Sequence, residues 1–505
     1  MRLNILIGGA AGQGINKISE IVSEVLIDQG YYVFNYRDYP SLIRGGHNFN
    51  VLSISDKEIQ SHESKIDGLV AMNNFTVNKH KKDLKKDNFI IKPTKFLDFG
   101  MNLNVVLAGA LIKILGIEKN LLIKEIKKQL NNKKSLKAAE KGFESTLKKY
   151  SLKKLKNKLL MMSGGQGVAV GALDSKIDLY FAYPMTPATS VLHILANNQE
   201  KNKLLVFQPE NELAVANAAL GASFSGARVM VGTSGGGYDL MTEALSMQGM
   251  AELPLVVYLS SRPGPGTGIP TYTTQADLDI ALRGGHGEFP RVVVAPGTPE
   301  QAQQKTNEAF YLSQKFNTLS IILSDKHLSE SEFSFKEEKR KPLKVEVKRK
   351  VPGEGIVKAN SYEHDNFGNT TESSQIAKDK AEKRILKYQA IKKEVKNFEM
   401  IKIYGKKDSK NLIIGWGSTT GAIIDSIQDL DAKFLQVIYM KPMSNNIKKE
   451  MEKAKKIILV ENNVTGQLGR LIREKTGIKI EKRILKYDGR PFKSDELKTE
   501  IKKYI

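Results

Sequence analysis

Between residues 177 and 325 the chain repeats one pattern: a short run of apolar residues, a loop of glycine, proline or serine, then a helix-length stretch. The runs are IDLYFAYP, LLVFQP, RVMVGTSGGG, LVVYLSSRPG, RVVVAPG and LSIILSD. Runs too short for a helix and apolar on both faces belong in parallel strands covered on each side by helices. Repetition of this unit builds a doubly wound sheet, and such a sheet binds ligands beyond the carboxyl ends of its strands. Thr186, Glu212, Ser234, Arg262 and Thr271 are the side chains this pattern delivers there.

The first of these loops is the most constrained. Pro184 and Pro187 end the apolar run Ile177–Tyr183, and each biases the residue before it away from helix. Thr186 is therefore expected in extended backbone with its hydroxyl at a strand end. The next run, Leu204–Phe207, is closed by Pro209 and followed by Glu210 and Glu212 at the mouth of the same sheet.

At 505 residues the chain is long enough for about three domains of ordinary size. Hydrophobic residues at 41%, charged residues at 26% and a mean hydropathy of −0.32 describe a water-soluble globular chain. The apolar segment from Val105 meets Lys113 well before the ~20 residues a membrane span needs. The opening MRLNILIGG reads as a strand entering a glycine turn, not as a signal peptide. With no cysteine in the chain, a cytoplasmic location is expected, and thiolate-held iron–sulfur clusters and disulfides are excluded from this polypeptide. The net charge of +23 raises nucleic acid as a partner. The lysines, however, crowd residues 79–95, 119–158 and 336–350 with few interleaved aromatics, as on solvated helix faces and linkers or a surface for an acidic protein.

In chain order, residues 1–150 read as an α/β domain. GGAAGQG, Gly8 to Gly14, follows a strand and precedes a helix ending at Gly30, an arrangement that aims backbone N–H groups at an anion. It lacks the Lys and Ser/Thr of a P-loop (Ile15 and Asn16 stand there), and Lys17 occupies the third glycine position of a dinucleotide fingerprint. Packing of helix on strand explains the turn equally well. YPSLIRGGH, 39–47, places Arg44 beside two glycines, in an anion loop or a plain surface turn. A lysine-rich helix is expected over 119–158, with 151–160 as a basic linker. Residues 161–335 hold the doubly wound sheet, and Ser163–Gly167 precedes a small-residue helix. Residues 336–400 are a charged connection ending in a helix from about Gln375 to Val395. Residues 401–505 form a third α/β domain.

YPMTPATS, ENELAVANAALGAS, GTSGGG and SRPGPGTGIPT together resemble the α subunit of the 2-oxoacid:ferredoxin oxidoreductases, and most closely the 2-oxoglutarate type. GGAAGQG with YPSLIRGGH is similar to that family's γ subunit, here fused in front. EHDNFGNTTE, GWGSTTGA, ENNVTGQLGRLI and YDGRPF match its later regions, so the resemblance covers most of the chain. It implies a central sheet of the thiamine-diphosphate pyrimidine-binding type and a C-terminal domain like that of transketolase. It further implies oxidative decarboxylation of a 2-oxoacid with coenzyme A to an acyl-CoA, reducing ferredoxin.

By motif position Glu212 is then the carboxylate that activates the aminopyrimidine, with Glu210 as second choice, and Thr186 contacts substrate or cofactor. A first-turn helix carboxylate and a structural turn hydroxyl are their plainer explanations. Tyr183, Pro184, Ser234 and Gly235 complete the cofactor-binding set. Arg262 suits bidentate grip on a 2-oxoacid carboxylate, although an ion-paired rim arginine would look the same, and Thr271 is a weaker substrate contact. Gly12, Gly14 and Arg44 are candidates for coenzyme A phosphates or for an interface. His286 reads as a structural loop residue rather than an acid–base group. No GDG-x-N-type motif for diphosphate and Mg²⁺ is present. The resemblance assigns that motif and an iron–sulfur cluster to a separate β subunit, in a heterodimer or a dimer of heterodimers active only when complete. Pyruvate, branched-chain or aryl 2-oxoacids are alternative substrates. A non-catalytic nucleotide- or anion-binding scaffold is the alternative of another class.

Overall fold

The apolar runs become strands of three sheets in a computed structural model that describes residues 1–40, 46–338, 340–346 and 349–505. The chain divides into two compact units. One comprises Met1–Met162, Ser331–Lys339 and Lys493–Lys498; the other Ser163–Glu330, Arg340–Phe492 and Thr499–Ile505.

The first unit carries a seven-stranded sheet in the order Leu84–Ile91, Ile66–Ala71, Arg2–Ala10, His47–Ser55, Tyr32–Asp38, Glu332–Lys336 and Leu159–Ser163. Arg2–Ala10 pairs parallel with Ile66–Ala71 and antiparallel with His47–Ser55. The helix Ile15–Asp28 packs Ile18, Ile21, Val22 and Val25 into the core beside it.

The second unit holds the doubly wound sheet. Its order is Tyr439–Lys441, Arg291–Val294, Leu319–Asp325, Leu255–Ser261, Val229–Thr233, Leu179–Phe181 and Leu205–Phe207. All neighbours are parallel except the outermost, Tyr439–Lys441, which runs antiparallel. Alternate residues serve opposite faces: Leu255, Val257 and Leu259 enter one core with Val215 and Leu245. Val256 and Tyr258 enter another with Ala169 and Phe310. Both faces are therefore buried, which is why the strands are continuously apolar. A five-stranded sheet, Ile401–Gly405, Lys433–Val437, Asn411–Trp416, Lys456–Glu461 and Lys482–Leu485, completes the unit.

Several details differ from the sequence expectation. The long helix over 119–158 is two, Lys119–Gln129 and Lys133–Glu144, because Asn131 turns to φ 40° and Asn132 caps the second by accepting from the Ser135 N–H at 2.8 Å. The stretch after it is anchored within the first unit, where the Tyr150, Leu152 and Leu155 amides donate to carbonyls of Ile114, Leu115 and Gln29. Glu332–Lys336, expected to end the central domain, instead pairs antiparallel with Tyr32–Asp38. The glycines after Ser163 lie inside the helix Gly164–Asp174, not before it. Ser163 and Gln166 form a capping box, and a Cβ on Gly167 or Gly171 would lie 2.3 Å from the carbonyl of Pro299 or Gln303 on the neighbouring helix. Among the described residues one helical stretch, Leu97–Leu115, has the length and apolarity to cross a membrane, more than the break at Lys113 implied. It is kinked at Gly100, and Leu103–Leu115 is buried in the first unit's core.

In the first unit His47 Nε2 lies 2.9 Å from His80 Nε2, and His80 Nδ1 lies 3.2 Å from Asp83 Oδ2. If His80 donates to the carboxylate, its Nε2 accepts from His47. Burial first, then His80 and Lys79, push His47 down to about 4, and burial lowers His80 as well. The unfolded chain therefore takes up protons below about pH 6.5 that the folded chain refuses until about pH 4, and stability falls through that window. After allowance for partial solvation, the loss is about 2 kcal/mol. Melting temperature should drop from pH 7 to pH 5, and His47→Gln should shrink that drop; an unchanged slope would remove the pair from the account.

Candidate active site

Four chain segments converge at the carboxyl ends of the central strands. Leu179–Phe181 leads into the proline loop, where Tyr183 and Pro184 are exposed and Thr186 is half-buried. Val229–Thr233 leads into the helix Gly235–Ala251, and Leu255–Ser261 delivers Arg262. The helix Glu212–Phe224 brings Glu212 in its first turn, Asn211 having taken the capping role by accepting from the Ala214 N–H at 2.9 Å.

Gly237 shows how tightly these segments meet. A Cβ there would lie 2.2 Å from Thr233 Oγ1, 2.7 Å from Met185 Sδ and 2.8 Å from Glu212 Cγ. Only glycine lets the proline loop and the Glu212 side chain reach the start of that helix. Arg262 Nη1 donates to the Thr186 carbonyl at 3.0 Å, tying the substrate-side arginine to the same loop.

The electrostatics of the group are unusual. Glu212 is 6% exposed, yet among the described residues its carboxylate has neither a hydrogen-bond nor an ion-pair partner. Arg262 has no carboxylate within ion-pair distance among those residues. Burial lowers its guanidinium below the ordinary value while the charges of Glu212 and Asp277 hold it up. The hydroxyls of Ser234 and Thr271 are buried without hydrogen-bond partners, while the buried Ser261 and Asp277 side chains face each other as a hydrogen-bonded pair. Buried polar groups are ordinarily satisfied, so the unsatisfied Ser234 hydroxyl and a Glu212 carboxylate that makes no hydrogen bond, at the starts of two helices that meet at Gly237, mark a ligand site.

The remaining sequence candidates divide. Glu210 is exposed, and no described contact ties it to this group. Thr271 is buried, but no described contact ties it to Glu212. His286 is an exposed loop residue whose N–H donates to Ser246 Oγ at 2.9 Å. Gly12 and Gly14 adopt φ 87° and 79° in the first unit, where the Gln13 side chain accepts from the Ala10 N–H at 2.7 Å and fills the turn. Arg44 lies outside the described residues.

Asp277 was not legible as part of the site. Before LDIALR it looks like a helix cap, yet its side chain makes no capping hydrogen bond. Its oxygens lie 2.6 and 2.8 Å from the position a Cβ on Gly235 would take, and burial pushes the carboxyl up to about 6.

Residues 4–98 match the family model for pyruvate ferredoxin/flavodoxin oxidoreductase, and residues 170–400 match its thiamine diphosphate-binding counterpart. The 2-oxoacid:ferredoxin oxidoreductase α subunit of a Sulfolobus species is 30% identical, over all of this chain and 97% of its own length. The chain belongs to the 2-oxoacid:ferredoxin oxidoreductase α-subunit family. The 2-oxoglutarate synthase subunit KorA of Archaeoglobus fulgidus is 36% identical over 34% of this chain and 50% of its own. A solved 2-oxoglutarate:ferredoxin oxidoreductase from Magnetococcus marinus, with 2-oxoglutarate, coenzyme A and succinyl-CoA bound, superposes with a TM-score of 0.89. It covers 99% of both chains at 24% identity, and so confirms the α/β fold; the thiamine diphosphate-binding match, residues 170–400, holds every strand of the central sheet but Tyr439–Lys441.

Proposed function

We propose that this 2-oxoacid:ferredoxin oxidoreductase α subunit, with its γ-type portion fused in front, supplies the pyrimidine half of a thiamine diphosphate site and most contacts to the 2-oxoacid. A β subunit supplies the diphosphate and Mg²⁺ contacts and the iron–sulfur cluster. The observation that carries this reading is Glu212, a largely buried residue whose carboxylate makes no hydrogen bond or ion pair with the described residues. Its oxygens are thus left open to a group from outside the chain, with the charge of Arg262 acting in the same site.

The residues present fit the aminopyrimidine. Glu212 offers an acceptor or donor to a ring nitrogen, and the unpartnered Ser234 hydroxyl sits at the adjoining helix start. Tyr183, Pro184, Thr186 and Gly235, on the proline loop and at the helix start, complete the cofactor-binding set on this reading. When bound, thiamine diphosphate provides the carbon nucleophile and the electron sink for decarboxylation. Glu212 then moves a proton at the ring nitrogen, Arg262 grips the substrate carboxylate, and Thr186 orients the 2-oxo group. The partner's place is suggested by apolar side chains left in solvent at the sheet edge and the first helical turns: Leu205, Phe207, Leu213 and Leu240.

The substrate is 2-oxoglutarate on this reading, in line with the KorA relative and the ligands of the solved relative. A dicarboxylate needs a second cation. Arg490 lies with its guanidinium 3.6 Å from the ring centre of Tyr272, in the loop that begins at Arg262. Arg490→Gln is expected to lower kcat/KM for 2-oxoglutarate about 10-fold or more relative to pyruvate, as loss of a charged contact does; an unchanged ratio would move the distal carboxylate elsewhere. Gly237→Ala should push Glu212 out of place and cut turnover by roughly 10–100-fold, with the subunits still assembling. Full turnover there would dissociate Glu212 from the chemistry.

The reading as a whole is tested by co-purifying the chain with a cysteine-bearing, GDG-containing partner. Viologen reduction dependent on both 2-oxoglutarate and coenzyme A is the expected result. No reduction with any 2-oxoacid would favour a non-catalytic scaffold.

A further inference from the structure

A cavity of about 390 Å³ lies at the other end of the same sheet from Glu212 and Arg262. Phe289 and Pro290 line it just before Arg291–Val294 begins, so it sits at the amino ends of the parallel strands, whereas Glu212 and Arg262 sit at the carboxyl ends. It is also beside the edge formed by Tyr439–Lys441, the edge furthest from Leu205–Phe207. Lys441 forms one wall. Arg384, Ile385 and Tyr388, on one face of the helix Ser374–Glu394, form another.

Charge in this corner is unbalanced. Arg384 is paired with Glu363 at 2.9 Å, but among the described residues Lys441 has no carboxylate within ion-pair distance. Its ammonium reaches only the Leu282 carbonyl, at 3.4 Å, and lies 6.0 Å from the centre of the Tyr388 ring. Burial first, and then the charges of Arg291, Lys475 and Arg283, push it down to about 8 against the pull of Glu474. Glu474 is already shared between Arg283 and Lys475, at 2.6 and 2.8 Å. Arg291, 3% exposed, also has no counter-charge among the described residues. It stacks 4.4 Å from the centre of the Phe289 ring, donates from Nη1 to the Ala281 carbonyl at 3.4 Å and is hydrogen-bonded to the Tyr238 phenol. The Tyr238 phenol facing it is pushed up to about 12 by burial and stays neutral. Glu288, the carboxylate on the cavity wall, is exposed.

One unpaired cation, Lys441, beside aromatic and aliphatic walls defines what fits: one negative group on a flat apolar body. We propose that this cavity binds a small aromatic carboxylate, its carboxylate meeting Lys441 and its ring lying among Phe289, Ile385 and Tyr388. The site is independent of the thiamine reading, because none of its residues belongs to that group.

Calorimetric titration of the full chain with benzoate, inorganic phosphate and benzyl alcohol tests it. Benzoate is expected to bind at least about 10-fold more tightly than either of the others, and Lys441→Met to weaken it by a similar factor. Limiting acetic anhydride gives a readout on the unmutated chain: Lys441 should be acetylated ahead of most lysines, and benzoate should slow it. Benzoate bound equally by Lys441→Met, phosphate bound as tightly as benzoate, or Lys441 labelling unaffected by benzoate would each overturn the proposal.

Discussion

Glu212→Gln, assembled with its partner subunit, is expected to turn over about 10³-fold more slowly than the wild type, in the range for loss of a positioned acid–base group. The substitution keeps shape and removes only the charge and the proton affinity. Glu212 makes no hydrogen bond or ion pair with the described residues, so no structural contact is lost with it. Asn211, not Glu212, caps the helix. Melting temperature should therefore stay close to that of the wild type. Activity lost together with folding would point to a structural carboxylate. Glu210→Gln serves as the control: that side chain is exposed, and its variant should behave as wild type.

Arg262→Ala is expected to raise KM for the 2-oxoacid by about 10–100-fold, as loss of a charge-assisted contact does. The described residues offer this guanidinium one carbonyl, that of Thr186, and no carboxylate, which leaves most of its N–H groups available to a ligand. Arg262→Lys should recover only part of the loss, because an ammonium cannot match a carboxylate with two parallel N–H groups. An unchanged KM in Arg262→Ala would place the substrate carboxylate elsewhere.

Much of the central sheet was legible because each strand is a closed apolar run with a glycine or proline stop. What the runs could not reveal was where a strand pairs. FLQVIYMK reads as one apolar stretch, yet Lys433–Val437 joins the five-stranded sheet and Tyr439–Lys441 the central one. Only Ile438 separates them, and the choice rests on the tertiary neighbours Ile401–Gly405 and Arg291–Val294. Glu332–Lys336 crossed to the first sheet for the same reason: edge pairing leaves no local signature.

The site was legible where chain chemistry is local. Two prolines placed Thr186, and an asparagine before Glu212 left that carboxylate free of capping. Asp277 escaped notice because its relation to Gly235 and Arg262 is made by the fold alone. The glycine requirement at Gly237 likewise follows from three side chains that meet there from different segments.

The most direct test is the rate at which the thiazolium C2 hydrogen of bound thiamine diphosphate exchanges with deuterium in the assembled enzyme, wild type against Glu212→Gln. Unaltered cofactor binding with exchange slowed by about 10²–10⁴-fold is the predicted result. Exchange as fast in the variant as in the wild type would show that another group activates the ring, and that Glu212 is buried for some other purpose.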